Sequence, residues 1–276
     1  MIDSHQHFWT YNANRDVWIT DDMGRIRQNF FPSDSLDLFS KNGINGCVAV
    51  QADSSEDETF FLISLAEQSE FIKGVVGWVD LQSKDVENRL TYFSQFEQIV
   101  GFRHVVQGET DPEFLGRPDF LRGIHLLETF DFSYDLLIYS NQLSSGIEFC
   151  KKNPNQRIVL DHLAKPPIKT GDVSEWNKYI RQFKELDHVS AKISGLITEA
   201  EWFAWDEKDI INIIEISLEV FGPNRLMFGT DYPVVLVAEE LSSWVNTFNK
   251  SIARLSTDEV KKITVDNCLK FYKIEL

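Results

Sequence analysis

Ile2-Asp3-Ser4-His5-Gln6-His7 is the stretch on which the architecture of this chain turns. Successive side chains of a strand point to opposite faces, so His5 and His7 emerge together with Asp3 below them. Two imidazoles fixed on one strand form a chelating pair, because a rigid pair loses little freedom when it closes on an ion or a substrate oxygen. The pair needs partners, and the strand itself says where to look. It is a short run that ends in polar residues before the chain goes on to a helix.

That pattern recurs seven more times, with apolar, β-branched runs over 46–51, 74–80, 99–105, 135–139, 157–162, 189–195 and 225–231. Amphipathic stretches separate them. One is opened by Pro32 and Ser33 and stopped by Gly43; the next stands behind a capping box of Ser55 and Glu58; the last two cover 241–252 and 257–271. Eight strand-helix units in alternation predict an α/β fold, a (β/α)8 TIM barrel forming a single domain over 1–276. A doubly wound open sheet would carry a glycine-rich phosphate turn near the first strand, and the sequence has none. Residues 8–31, with Trp9, Tyr11, Asn12, Asn14 and Trp18, are too long for a simple connection and are expected to form a functional lid.

Composition narrows the partners. With 43% hydrophobic residues among 276, the chain can bury a large core. Lys and Arg number 27 against 43 Asp and Glu, a net charge of -16, which argues against nucleic acid or an anionic membrane as partner. No apolar run approaches the ~20 residues that span a bilayer. Cys47, Cys150 and Cys268 are odd in number and far apart, and no basic segment followed by an apolar one opens the chain, so a cytoplasmic location is expected. A homo-oligomer is compatible with this composition.

Barrel enzymes carry their chemistry at the C-terminal ends of the strands. By that rule His5, His7, His104, Tyr139, His162 and Asp231 gather on one rim, which takes four of the six histidines. His125 and His188 fall outside it and read as structural or exposed. Lys192 lies mid-strand, where a salt bridge is expected. Trp202, Phe203 and Trp205 read as a cap or a surface patch.

Four motifs carry a resemblance that spans essentially the whole chain. They are Asp3-Ser4-His5-Gln6-His7-Phe8-Trp9, Gly101-Phe102-Arg103-His104-Val105-Val106-Gln107, Val159-Leu160-Asp161-His162-Leu163-Ala164-Lys165-Pro166, and the run from Gly222 to Pro233 that contains Phe228-Gly229-Thr230-Asp231. Together they resemble the amidohydrolase-related branch of the amidohydrolase superfamily, and within it the sugar lactonases acting on L-fucono- or L-rhamnono-lactone. The resemblance implies that His5, His7, His162 and Asp231 hold one divalent metal, such as zinc, or in metal-independent relatives bind the substrate carbonyl directly. Two departures from the wider superfamily speak against a binuclear centre. No lysine suited to a bridging carbamate ends the fourth strand, and the fifth ends in Tyr139 where a histidine is usual. Tyr232 stands where close relatives often carry Trp.

On that resemblance the expected reaction is hydrolysis of a sugar-acid lactone, with Asp231 taking a proton from water while His5, His7 and His162 hold an ion or the forming oxyanion. Asp231, or His104, would return the proton to the leaving alkoxide. Gln51, Gln107, Tyr139 and the first long loop are expected to read the hydroxyls of the small-molecule lactone. A metal-dependent decarboxylase of an aromatic or unsaturated acid is the alternative. It requires a basic clamp at the mouth, for which Arg103 and Arg117 are the candidates. A barrel kept only as a binding module is the third reading.

Overall fold

Eight parallel strands, hydrogen-bonded in the order β1 to β8, wrap into a barrel in the computed structural model, which describes residues 1–275. In chain order the elements are β1 (Ile2–Gln6), α1 (Pro32–Lys41), β2 (Gly46–Val50), α2 (Glu56–Gln68), β3 (Ile72–Gly77), α3 (Val86–Phe93), β4 (Ile99–His104), α4 (Pro118–Thr129), β5 (Ser133–Leu136), α5 (Leu143–Lys152), β6 (Ile158–Leu160), α6 (Ser174–Ile180), β7 (Val189–Ile193), α7 (Glu207–Phe221), β8 (Leu226–Phe228), α8 (Leu241–Ser251), α9 (Thr257–Lys261) and α10 (Asn267–Tyr272). All eight expected strands form, and the expected barrel is the one observed.

The seam of the barrel closes beside the first motif. Asp231 N–H donates to the His5 carbonyl at 2.9 Å, and His7 N–H donates to the Tyr232 carbonyl at 2.7 Å. Residues at opposite ends of the sequence thereby become backbone neighbours, which is how a late aspartate meets an early pair of histidines.

Strands buried on both faces divide their side chains between two cores. The outward set packs on the helices in one large cluster, while Val48, Val50, Val76, Val159 and Met227 join Phe271 and Tyr272 of α10 in a smaller one inside the barrel. The helix expected over 257–271 is broken by a π-helical turn, Lys262–Asp266, and the last turn of helix then seats Cys268, Phe271 and Tyr272 against the barrel floor.

Local signals explain a further difference at α2. Ser55 caps α2 by accepting from Glu58 N–H, but the expected reciprocal bond is absent, because Glu58 Oε1 accepts instead from Ala52 N–H at 2.8 Å and Asp53 N–H at 3.3 Å. The first long loop, expected to be a lid, is tied to itself through Trp9. Trp9 pairs with Phe30, its indole N–H donates to the Gln28 carbonyl, and Trp18 stands edge-on to it at the barrel mouth. No helix among the described residues is long and apolar enough to cross a membrane.

Candidate active site

A layer of buried ions forms the floor of the C-terminal end. Lys192 of β7 points into the barrel, where its ammonium pairs with Asp135 and lies 2.9 Å from Asp161 Oδ1. Arg103 Nη1 donates to Asp161 Oδ2 at 3.1 Å, and Tyr272 O–H donates to Asp135 Oδ2 at 2.8 Å from below. Two cations face two carboxylates, so each charge of this layer has an opposite. Lys192 therefore makes the expected salt bridge, while Asp161, adjacent to His162 in the motif, is a structural ion that the sequence did not single out.

Above this floor three imidazoles converge on one carboxylate oxygen. Asp231 Oδ1 lies 3.3 Å from His7 Nε2, 3.9 Å from His5 Nε2 and 4.0 Å from His162 Nε2, and the two strand-one rings approach at 3.2 Å through Nε2. The other nitrogen of each ring is engaged outward. His7 Nδ1 meets the Val50 carbonyl at 2.7 Å, His162 Nδ1 meets Ser194 Oγ at 2.9 Å, and His5 Nδ1 lies 3.3 Å from Asp161 Oδ1. The Val50 carbonyl can only accept, which assigns the Nδ1 proton to His7 and leaves its Nε2 lone pair facing Asp231 when the ring is neutral.

Burial sets the charge state. It lowers His162 to about 4 and pushes His5 well below the ordinary imidazole range, so both rings are neutral at pH 7. Burial alone would raise Asp231, but its interactions with His162, His7 and His5, His162 foremost, hold it well below the usual carboxylate range. Beneath His5, Asp3 is raised to about 7 by burial although Thr230 and the His5 N–H hydrogen-bond to it.

The donor set fits one divalent ion. His5, His162 and Asp231 each offer a ligand atom within 4.8 Å of the others, His7 Nε2 adjoins them, and outward Nδ1 contacts are the usual support of metal-bound imidazoles. The departures from a binuclear set stand in the structure as well: β5 contributes Asp135 to the ion layer, and Tyr139 lies beyond its end.

Asp231 and His162 open onto a cavity of about 300 Å³, walled by Trp18, Arg103, Gln107, Leu137 and Lys165 among others. That is the small end of ligand sites, the scale of a single ring. Two glycines make room. A Cβ on Gly195, which has φ +62°, would stand 2.6 Å from His162 Nδ1 and 3.0 Å from Asp231 Oδ2, and one on Gly229 would stand 3.1 Å from His5 Cβ.

Other expected site residues go elsewhere. His104 leaves the site because strand alternation gives the inward position to Arg103; its ring stacks on Phe114 at 4.8 Å and Nε2 pairs with Glu109 at 2.7 Å. Gln51 is fully buried and bonded at both ends of its amide to Arg103, so it supports that residue and is not a cavity wall. Tyr139 lies past the end of β5, 42% exposed at the mouth, with Lys165 Nζ 5.4 Å from its ring centroid. Gln107 does line the cavity, and its Oε1 is buried without a partner. His125 is exposed beside Glu128, and His188 meets the Cys150 carbonyl. The site residues that sequence reasoning missed are Arg103 in a supporting role, Asp161, Gly195 and Lys165; alternation from the inward Gly101 would have found Arg103.

Residues 2–274 match a family model described as Amidohydrolase. An L-fucono-1,5-lactonase of Burkholderia multivorans is 37% identical over 271 residues, covering 94% of this chain and 90% of that protein. Crystal structures of an amidohydrolase from Burkholderia multivorans, one with bound zinc and one with bound HEPES, superpose with a TM-score of 0.96 at 34% identity, covering 99% of both chains. A 2,6-dihydroxybenzoate decarboxylase from Rhizobium shares the fold with a TM-score of 0.72 at 14% identity, covering 99% of this chain and 98% of that one.

Proposed function

The chain belongs to the amidohydrolase family, and from that membership we propose that it is a hydrolase that opens sugar-acid lactones of the L-fucono- or L-rhamnono- type. The observation that carries this reading is the approach of three Nε2 atoms to within 3.3–4.0 Å of Asp231 Oδ1 at the base of a cavity sized for one ring.

Asp231 is the proton acceptor. A carboxylate of ordinary pKa about 3.9 stands some 12 units below water, so full deprotonation before attack would cost roughly 16 kcal/mol. The proton therefore moves as the water oxygen bonds to the carbonyl carbon and becomes acidic. Asp231, held below even the ordinary value, then carries that proton as a strong acid. It returns the proton to the ring oxygen as the ester C–O bond breaks; His104, paired with Glu109 and not part of the cavity wall, takes no part in that step. Negative charge that builds on the carbonyl oxygen is met by the fixed charge of Arg103, whose Nη1 lies 3.2 Å from His5 Nε2. Gln107, which lines the cavity, would meet a substrate hydroxyl.

His5, His7, His162 and Asp231 would hold a zinc ion. When bound, such an ion supplies Lewis-acid polarisation of the carbonyl and acidifies water. Calorimetric titration with zinc is expected to show one site per chain, weakened at least tenfold in Asp231→Asn; unchanged affinity in that variant would remove Asp231 from the ligand set.

Neither arginine expected to clamp an acid in the decarboxylase alternative is free to do so. Both Nη groups of Arg103 are engaged by Asp161, His5 and Gln51, and Arg117 is exposed and paired with Asp119. The test is a pH-indicator assay on L-fucono-, L-rhamnono-, L-galactono- and D-arabinono-lactones. Acid release from at least one supports the reading, and no turnover across the panel defeats it.

A further inference from the structure

Four consecutive residues after β6 share a backbone conformation that L-amino acids ordinarily visit one at a time. His162, Leu163, Ala164 and Lys165 have φ of 51°, 53°, 57° and 49°, and none is glycine. The turn is held from several sides. Lys165 N–H donates to the His162 carbonyl at 2.9 Å, Trp176 Nε1–H donates to the Leu163 carbonyl at 2.8 Å, Leu163 and Ala164 are fully buried, and Pro166 denies Lys165 the right-handed helical region. Strain held in place this way is found where it positions function. With an i to i+3 bond and about three residues per turn, residues three apart eclipse, so Lys165 comes onto the same side as His162, and both line the cavity.

Elements on either side converge on the Lys165 ammonium. Glu199, from the segment after β7, places Oε1 3.4 Å from Nζ, and the Tyr139 ring, from the segment after β5, lies 5.4 Å away. The ammonium has three N–H donors and no acceptor. Glu199 engages one, and none of the proton steps at Asp231 uses the others. The substrate class already proposed is rich in the groups these donors suit.

We propose that Lys165 is a specificity-determining residue: aimed by Glu199 and fixed to His162 by the left-handed turn, its ammonium donates to ring hydroxyls of the lactone. This rests on the lactonase reading of the site. The carbonyl end of the substrate is held at Asp231 and the imidazoles, and Lys165 one turn away distinguishes a polyhydroxylated lactone from a bare one. Its contribution is uniform binding, so its removal acts on KM more than on kcat.

The test compares L-fucono-1,5-lactone with δ-valerolactone, which has the ester and no hydroxyls, for wild type, Lys165→Met and Lys165→Arg. Lys165→Met is expected to lower kcat/KM on the sugar lactone about 100-fold, chiefly through KM, and to change δ-valerolactone hydrolysis less than threefold. Lys165→Arg is expected to recover most of the loss. An equal fall on both lactones, or no fall on either, overturns the proposal. A measurement without turnover separates it from the reading beneath it: calorimetric affinity for L-fuconolactam, which lacks the scissile ester. At least tenfold weaker binding in Lys165→Met supports the role of Lys165 even if no lactone is hydrolysed, an outcome that would defeat the lactonase reading alone. Equal affinity in both proteins, or no binding to wild type, overturns it.

Discussion

The two ends of this barrel use the same eight strands for opposite purposes. At the N-terminal end α10 seats Phe271 and Tyr272 against Val48, Val76, Val159 and Met227, all in ordinary packing. At the C-terminal end the backbone turns left-handed at His162 to Lys165 and again at Asp231, and polar atoms converge on a cavity. The ions Lys192, Arg103, Asp135 and Asp161 lie between, touched by Tyr272 from below and by His5 from above. If stability lies below that layer and chemistry above it, a substitution should reveal its side by whether it moves the melting temperature or the rate.

The layer itself is the harshest place to cut. Lys192→Met leaves Asp135 and Asp161 short of a partner, which typically costs about 3–5 kcal/mol. A melting temperature lower by roughly 10 °C is expected from thermal unfolding; an unchanged value would mean the layer carries no stability. Next in size is a pH effect. His162 is lowered to about 4 by burial, so it stays neutral as pH falls through 6.5 and gains its proton only near 4. The acid limb of kcat/KM should accordingly fall near pH 4, and a midpoint at 6.5 would show an exposed, unperturbed imidazole.

Gly195→Ala tests the upper side alone. Its Cβ would displace His162 and press on Asp231, so kcat/KM should drop about 100-fold while the fold remains by circular dichroism. If the rate held, the close approach would be irrelevant. Tyr272→Phe tests the lower side: one buried hydrogen bond to Asp135 is lost, about 1–2 kcal/mol, with kcat/KM within threefold of wild type. A large rate loss there would couple the floor to the chemistry. Smallest of all is His104→Leu, expected to leave kcat/KM within threefold because the ring stacks on Phe114 outside the cavity.

The same division sets what could be read from sequence. Alternating strand and helix patterns gave the barrel, and the His5-His7 spacing together with strand-end polar residues drew out His162 and Asp231, because these depend on local period and on a general rule of the fold. Parity was harder. Arg103 and His104 are adjacent polar residues at a strand end, and only one can face inward; the strand-end position points to His104, while the barrel's ions claim Arg103. Gln51 was legible as polar but not as already bonded on both sides by that arginine. The left-handed turn has no local signature beyond Pro166, since four non-glycine residues in that region are held by Trp176 and by burial, both tertiary effects. The pairing of Lys165 with Glu199 likewise joins segments after different strands.

Asp231→Asn is the most direct measurement of the central claim, that one carboxylate among three imidazoles performs the proton transfers. The variant keeps the volume and the backbone bond to His5. Its kcat/KM on the best lactone of the panel is expected to fall at least 1000-fold with the melting temperature within a few degrees of wild type. Turnover within tenfold of wild type would contradict it.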